Sequence, residues 1–369
     1  MNIKKHEVSL LDIIKKAQKN PNLELEVIFK STVDLKIKKR EFDSLIRRVK
    51  GIKGIKLQSS NETLDIMIDK TRQRYSVVGK ASINAYCKSN TLANLKSGTY
   101  NLIQKTNVSK VELSDYNLRV NLKNEESQRI DLSLLNDWGN LGKTFRYKKR
   151  FSYITFDKLF SFDLTVIKTS SKKIVTLPVQ KKKKSDIPDF MKKYVIKPDN
   201  VSNFDTWWSK LKNSDTIELK GRRVEEYIPF KNIKASKVLE NPLEFEVEIE
   251  YLGNKINYKA DYKDILSKLI MNTGILIQSL QGSNFIISNS ERNMAKQEYK
   301  RIMNIHRFSA PQNITLELKH IQRMNYSDYS KVLSIRRNYS VTDKADGERK
   351  MLYIGDNMNV YFIMSQLQF

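Results

Sequence analysis

The chain has 369 residues, of which 67 are Lys or Arg and 41 are Asp or Glu, so its formal charge at neutral pH is +26. That excess points to a polyanionic partner such as nucleic acid, polyphosphate or an anionic membrane surface, while 40% hydrophobic content with 12 Gly and 7 Pro excludes a disordered or low-complexity tail. A lone cysteine, Cys87, and three histidines exclude a disulfide framework and a Cys/His zinc cluster and fit a reducing compartment.

The first twenty residues scatter five lysines and lack the apolar core of a signal peptide. A helix is predicted over Leu10–Lys19, a strand over Leu23–Phe29 and a second helix over Arg40–Val49. Alternating or β-branched runs then predict strands at Leu64–Ile68, Tyr75–Val78, Asn117–Leu122, Thr144–Tyr153, Phe162–Ile167, Ile174–Val179 and Glu244–Tyr251. Eight strands in succession suggest a barrel or sandwich. The lysine run Lys181–Lys184 reads as a solvated loop, and Trp207 and Trp208 as packing against the barrel. From Asp261 the period becomes helical, with helices at Asp264–Gln281 and Ser290–Asn304. The most apolar stretch, Ile265–Leu280, is broken by Lys268 and Asn272 and is too short and polar to span a bilayer, so no membrane partner is expected. Strands return at Tyr339–Lys344, Lys350–Ile354 and Val360–Met364, the last two joined by a turn at Gly355-Asp356-Asn357.

Period-two geometry sorts the charged residues of these strands onto faces. Glu24 and Glu26 share one face, and Glu246, Glu248 and Glu250 share another opposite Phe245, Val247, Ile249 and Tyr251. Either run could be an exposed acidic face. If both line a closed barrel, like charges crowd together at a cost that a divalent cation would relieve, and hard oxygen ligands suit Mg²⁺ or Mn²⁺. In Thr144–Ser152 the cations Arg146, Lys148 and Arg150 alternate with Phe145, Tyr147 and Phe151. Arg119 and Lys123 share a face, as do Asp163 and Thr165. An interior with carboxylates on one wall and cations on another suits metal-dependent attack on a terminal phosphate.

In their order along the chain these motifs resemble the tunnel-fold RNA triphosphatases of fungal and large-DNA-virus mRNA capping enzymes, in which an eight-stranded barrel encloses a hydrophilic tunnel. The resemblance covers residues 20–255. It implies metal ligation by Glu24, Glu26, Glu248 and Glu250, a phosphate clamp of Arg146, Lys148 and Arg150, and supporting roles for Ser152, Asp163, Thr165, Arg119 and Glu125, with Asn121 where the family has Ser. Glu246 or Glu248 would orient the attacking water. One departure is Ser161, where a basic residue often stands.

A second motif, Lys344-Ala345-Asp346-Gly347 followed by Arg349, resembles the nucleotidyltransferase motif of mRNA guanylyltransferases and polynucleotide ligases. The resemblance implies that Lys344 attacks the α-phosphorus of GTP, that Asp346 and Gly347 shape the turn presenting it, and that Arg349 contacts the ribose. The family's remaining motifs are not in the sequence, so no GMP adduct is expected from residues 1–369, and the strands near Leu352 and Tyr361 are expected to pack poorly.

Together the expectation is an α+β chain. An eight-stranded antiparallel tunnel barrel with flanking helices (1–258) is followed by a helical linker (259–305) and an incomplete nucleotidyltransferase α+β domain (306–369). It resembles the N-terminal part of the multifunctional mRNA capping enzymes of cytoplasmic large DNA viruses. That resemblance implies action on the 5′-triphosphate end of RNA, GTP as substrate of the second domain, a cap methyltransferase domain or subunit as partner, and location in the host cytoplasm or virion. The rival expectations are a tunnel-fold phosphohydrolase of small triphosphates or polyphosphate, the N-terminal part of a polynucleotide ligase, and a non-catalytic RNA-binding module.

Overall fold

A computed structural model describes residues 3–29, 36–69, 71, 73–128, 135–176, 178–187, 195–198, 201, 203–221, 223–256, 258, 260–305, 316–321, 335, 340 and 350–364. The chain divides into two compact units, Met1–Asn289 and Ser290–Phe369.

In the first unit the elements run α1 (Glu7–Lys19), β1 (Leu23–Phe29), α2 (Lys39–Gly51), β2 (Lys56–Ile68), β3 (Arg74–Val78), α3 (Lys80–Ser89), β4 (Tyr100–Leu113), β5 (Leu118–Gln128), β6 (Lys143–Ile154) and β7 (Phe160–Thr169). They continue with β8 (Lys172–Thr176), β9 (Gln180–Lys183), α4 (Phe204–Lys210), β10 (Thr216–Leu219), β11 (Arg223–Tyr227), β12 (Glu244–Tyr251) and α5 (Tyr262–Gln281). Eight strands pair antiparallel in the order β1-β12-β7-β6-β2-β3-β4-β5. Pairing of β5 back onto β1, with Glu26 opposite Asn121, closes the ring.

The barrel is inverted relative to one that buries its oil inside. In β12 the side chains of Phe245, Val247, Ile249 and Tyr251 are buried while the alternating glutamates are only partly so. The buried set faces outward, because the apolar core lies between the strands and the helices. On one flank Leu10, Ile13 and Ile14 of α1, Phe42, Leu45 and Val49 of α2, and Leu266, Leu269 and Ile277 of α5 cover Leu25, Val27, Leu118, Val120, Phe162 and Val247. These helix residues recur at the three- and four-residue spacing that makes one stripe. On the other flank Ile83 and Tyr86 of α3, with Trp138, Ile233 and Val238, cover Leu64, Ile66, Tyr75, Val77 and Phe145. With both flanks covered from outside, period two turns the polar residues into the lumen.

Several expectations change. Strand β4, fourteen residues long, was not expected: a bulge between Asn107 and Ser109 shifts its register, and Gln104–Val108 is exposed, so no alternation marks its middle. The predicted strand at Ile174–Val179 is β8, which pairs with β11 outside the barrel. Lys181–Lys183 belong to β9 rather than to a loop, paired with β10 in a small lobe around Ile187, Val195, Ile217 and Leu219. Trp207 and Trp208 pack in that lobe against Phe204, not against the barrel, and Lys184 sits 5.6 Å above the Trp208 ring. Helix α5 is no linker, since its apolar stripe completes the barrel's outer core.

In the second unit, α6 (Asn289–Ile302) carries Ala295 and Tyr299 against the hairpin of β13 (Lys350–Ile354) and β14 (Val360–Met364). Tyr353, Tyr361 and Ile363 are buried there, and the Glu298 carboxylate accepts from the Tyr353 hydroxyl and the Asp356 amide, each at 3.0 Å. The hairpin thus packs well on one face, whereas Leu352, Ile354, Val360 and Phe362 on the other are exposed. Apart from Ser340, the predicted strand Tyr339–Lys344 lies outside the described residues, as do the site residues Lys344, Asp346, Gly347 and Arg349.

Candidate active site

Register places the lumen's charged groups before any side chain is considered. Glu246 stands opposite Thr165, Glu248 opposite Asp163, and Glu250 opposite Ser161. Thr165 in turn faces Arg150, and Asp163 faces Ser152. On the other side of β12, Glu250 faces Glu26, and Glu248 faces Ile28. Such cross-strand neighbours on one face lie about 5 Å apart, so four adjacent strands bring Glu26, the β12 glutamates, Asp163, Thr165 and the β6 cations onto one continuous surface.

The side chains complete a ladder of ion pairs. The Arg150 guanidinium donates to Asp163 at 2.9 Å and to Glu248 at 3.2 Å. Arg146 binds Glu246, and Lys148 reaches Asp65 of β2 at 2.6 Å, whose other oxygen accepts from the Ser76 hydroxyl at 2.7 Å. Lys149 points the other way, toward Glu62 at 3.7 Å and over the Phe151 ring, and its side chain is 44% exposed against 16% for Lys148. The expected parity of β6 therefore matches the structure. Across the lumen Lys105 of β4 bridges Glu24 at 2.8 Å and Glu125 at 3.0 Å. Lys123 binds Glu26, with the Asn121 amide within 3.5 Å, and Lys255 binds Glu250 at 2.5 Å.

Arg119 is the expected site residue that does not join this group, because its Nε donates to Glu112 at 2.6 Å near the start of β5. Asp65, Arg74, Ser76, Lys105 and Lys255 line or reach the lumen and were not expected there. For Asp65 and Ser76 a signal existed, since each alternates with apolar neighbours on a predicted strand; for Lys105 and Lys255 none did.

Burial in the lumen raises the Glu248 carboxyl to about 7, with Glu246, Glu26 and Asp163 adding to the rise and Arg150 opposing it. Burial likewise raises Glu250, against the Lys255 ammonium. Glu24 and Asp65 go the other way: their lysine partners, Lys105 and Lys148, outweigh burial and hold both below the usual carboxylate range. Burial and the neighbouring guanidiniums of Arg146 and Arg150 lower the Lys148 ammonium, which Asp65 supports. The Thr165 hydroxyl, 1% exposed, has no hydrogen-bond partner among the described residues.

For a divalent cation the donor chemistry fits. Glu24, Glu26, Glu248 and Glu250 are hard oxygen donors on two adjacent strands, with Glu250 directly opposite Glu26. Among the described residues no three such groups already converge on one point. Glu24, Glu26 and Glu250 each close on a lysine instead, whose ammonium supplies the positive charge.

No protein-family model matches the chain, and no curated protein matches it in sequence. Among solved structures it is similar to the RNA triphosphatase domain of a trifunctional mimivirus mRNA capping enzyme, at 15% identity over 75% of this chain and 99% of that one, with a TM-score of 0.44. A second crystal form of the mimivirus capping-enzyme triphosphatase gives 16% identity, the same coverage and the same score. An RNA triphosphatase of S. pombe matches at 11% identity over 73% of this chain and 91% of that one, with a TM-score of 0.37.

Proposed function

We propose that the tunnel removes the terminal phosphate from the 5′-triphosphate end of RNA, as the first step of mRNA capping. The observation that carries this reading is the lumen's ladder, in which Arg146, Lys148 and Arg150 on β6 meet Asp65, Asp163, Glu246 and Glu248 inside a closed ring whose apolar core lies outside it. A pairing of this kind can be exchanged. A phosphate entering the tunnel offers oxygens to Lys148 and Arg150 in place of the carboxylates they now hold, and the cations then meet the charge of the transition state. Glu246 or Glu248, each held by a β6 guanidinium, would orient the attacking water. Glu24, Glu26, Glu248 and Glu250 would hold Mg²⁺ or Mn²⁺, which when bound polarises a phosphoryl oxygen. The Lys344–Gly347 motif resembles that of guanylyltransferases, and GTP would be the substrate of a nucleotidyltransferase domain of which residues 306–369 form a part.

The test is release of labelled phosphate from RNA carrying a γ-labelled triphosphate end, with and without Mg²⁺ or Mn²⁺. Metal-dependent release is expected. Steeply salt-dependent RNA binding without release would leave only a binding module, and release from inorganic tripolyphosphate but not from RNA would move the substrate to small polyphosphates.

A further inference from the structure

Beyond the last tunnel strand the chain makes a turn that carries a lysine back to the carboxylates. Gly253 begins it: a Cβ there would lie 2.2 Å from the Tyr251 hydroxyl, so only glycine lets the backbone fold over that ring. The turn is closed by the Tyr258 amide on the Gly253 carbonyl at 2.8 Å and by the Lys255 amide on the Leu252 carbonyl at 3.0 Å. Asn254, 5% exposed, pins it to the start of β1, donating through its side chain to the Leu23 carbonyl at 2.6 Å, one residue before Glu24. These contacts place the Lys255 ammonium 2.5 Å from Glu250. Unlike Lys123, with 18% of its side chain exposed, Lys255 has 48% in solvent and a path by which to leave.

We infer that Lys255 is a resident counter-ion that competes with a divalent cation for Glu250, and so sets the tunnel's metal affinity. The inference rests on the metal ligation proposed above. While Lys255 is seated, Glu250 is neutralised and held in a metal-free arrangement. A divalent cation binds only as the ammonium gives up its contacts, so the two occupancies are linked with opposite sign. The lysine half of the pair is half in solvent, so its ammonium can be rehydrated as it leaves Glu250.

Mn²⁺ titration of the full chain by calorimetry, with free Mn²⁺ counted independently by electron paramagnetic resonance, tests this without reference to hydrolysis. Lys255→Met should bind Mn²⁺ roughly five- to fiftyfold more tightly than the unaltered protein, a range typical of coupling between two ligands. Lys255→Gln should follow it, Lys255→Arg should stay near the original affinity, and Lys149→Met, on the outward face, should not change it. Equal affinity in Lys255→Met, Lys255→Gln and the unaltered protein overturns the inference, as does absence of Mn²⁺ binding in all of them. Tighter Mn²⁺ binding without phosphate release from RNA would overturn the proposed reaction and leave this inference standing. Metal-dependent release with unchanged affinities would do the reverse.

Discussion

Two parts of the barrel wall carry the lumen's charge differently. On β1, β5, β6, β7 and β12 apolar and polar residues alternate through the stretch that flanking elements cover, so the outward oil and the inward charge can be read residue by residue. On β2, β3 and β4 the alternation is short or absent: Lys56–Asn61 of β2 and Gln104–Ser109 of β4 run largely exposed, past the covering core. Yet this second part supplies Asp65, Ser76 and Lys105, which hold Lys148 and Glu24 in place. The lesson is that the legibility of a strand reports what covers its outer face, not what its inner face does.

The largest effect expected from the first part is loss of metal-dependent phosphate release on changing Glu24, Glu26 or Glu250 to Ala, with circular dichroism and thermal melting near those of the parent. Retained release in all three variants would break the assignment of that wall. Next, Lys148→Ala or Arg150→Ala should slow turnover roughly ten- to a thousandfold, the cost of one charged transition-state contact, and Lys149→Ala should do little. Equal losses at Lys148 and Lys149 would mean that the inward face is misassigned.

The second part is tested through Asp65, a positioning residue. Asp65 supports the charged form of Lys148 against burial and two guanidiniums. Asp65→Asn removes that support, so the alkaline limb of the pH–rate profile should move to lower pH, with a smaller loss of turnover than in Lys148→Ala. An unmoved limb would make Asp65 merely structural. The smallest effect is on stability. Glu248 has a carboxyl raised to about 7 from an ordinary value of 4.5, so its protonated form favours the fold; that contribution is complete below pH 4.5 and lost as pH rises through 7. Glu248→Gln should therefore melt close to the parent at pH 5 and above it at pH 8.5. A variant less stable than its parent at pH 8.5 would show Arg150 to dominate there.

Much of the site was legible for the same reason that the covered strands were. Glu24 and Glu26, the three glutamates of β12, the cations of β6 and Asp163 with Thr165 all sit in runs where an apolar partner alternates. Lys105 could not be found that way, since the bulge after Asn107 breaks parity within its own strand. Lys255 sits in a turn, and its reach to Glu250 depends on the close approach of Gly253 to Tyr251, which no periodicity encodes. Arg119 shows the converse. Its parity is right, but its position at the first turn-adjacent residues of β5 gives it Glu112 as a partner.

The inverted barrel also decides where this unit can be cut. Among the described residues, the carboxylates and cations named in the tunnel lie before residue 258, so a boundary drawn by chemistry would fall there. The wall, however, is greasy on its outside, and Leu266 and Leu269 of α5 share one apolar hollow with Leu10, Val27, Leu113 and Val120. A fragment ending at residue 258 keeps the whole reactive inventory and strips the shielding from β1 and β5, exposing the kind of contiguous apolar surface that drives self-association. The smallest piece worth expressing therefore runs past Gln281: the tunnel's extent is set by what keeps water off its back.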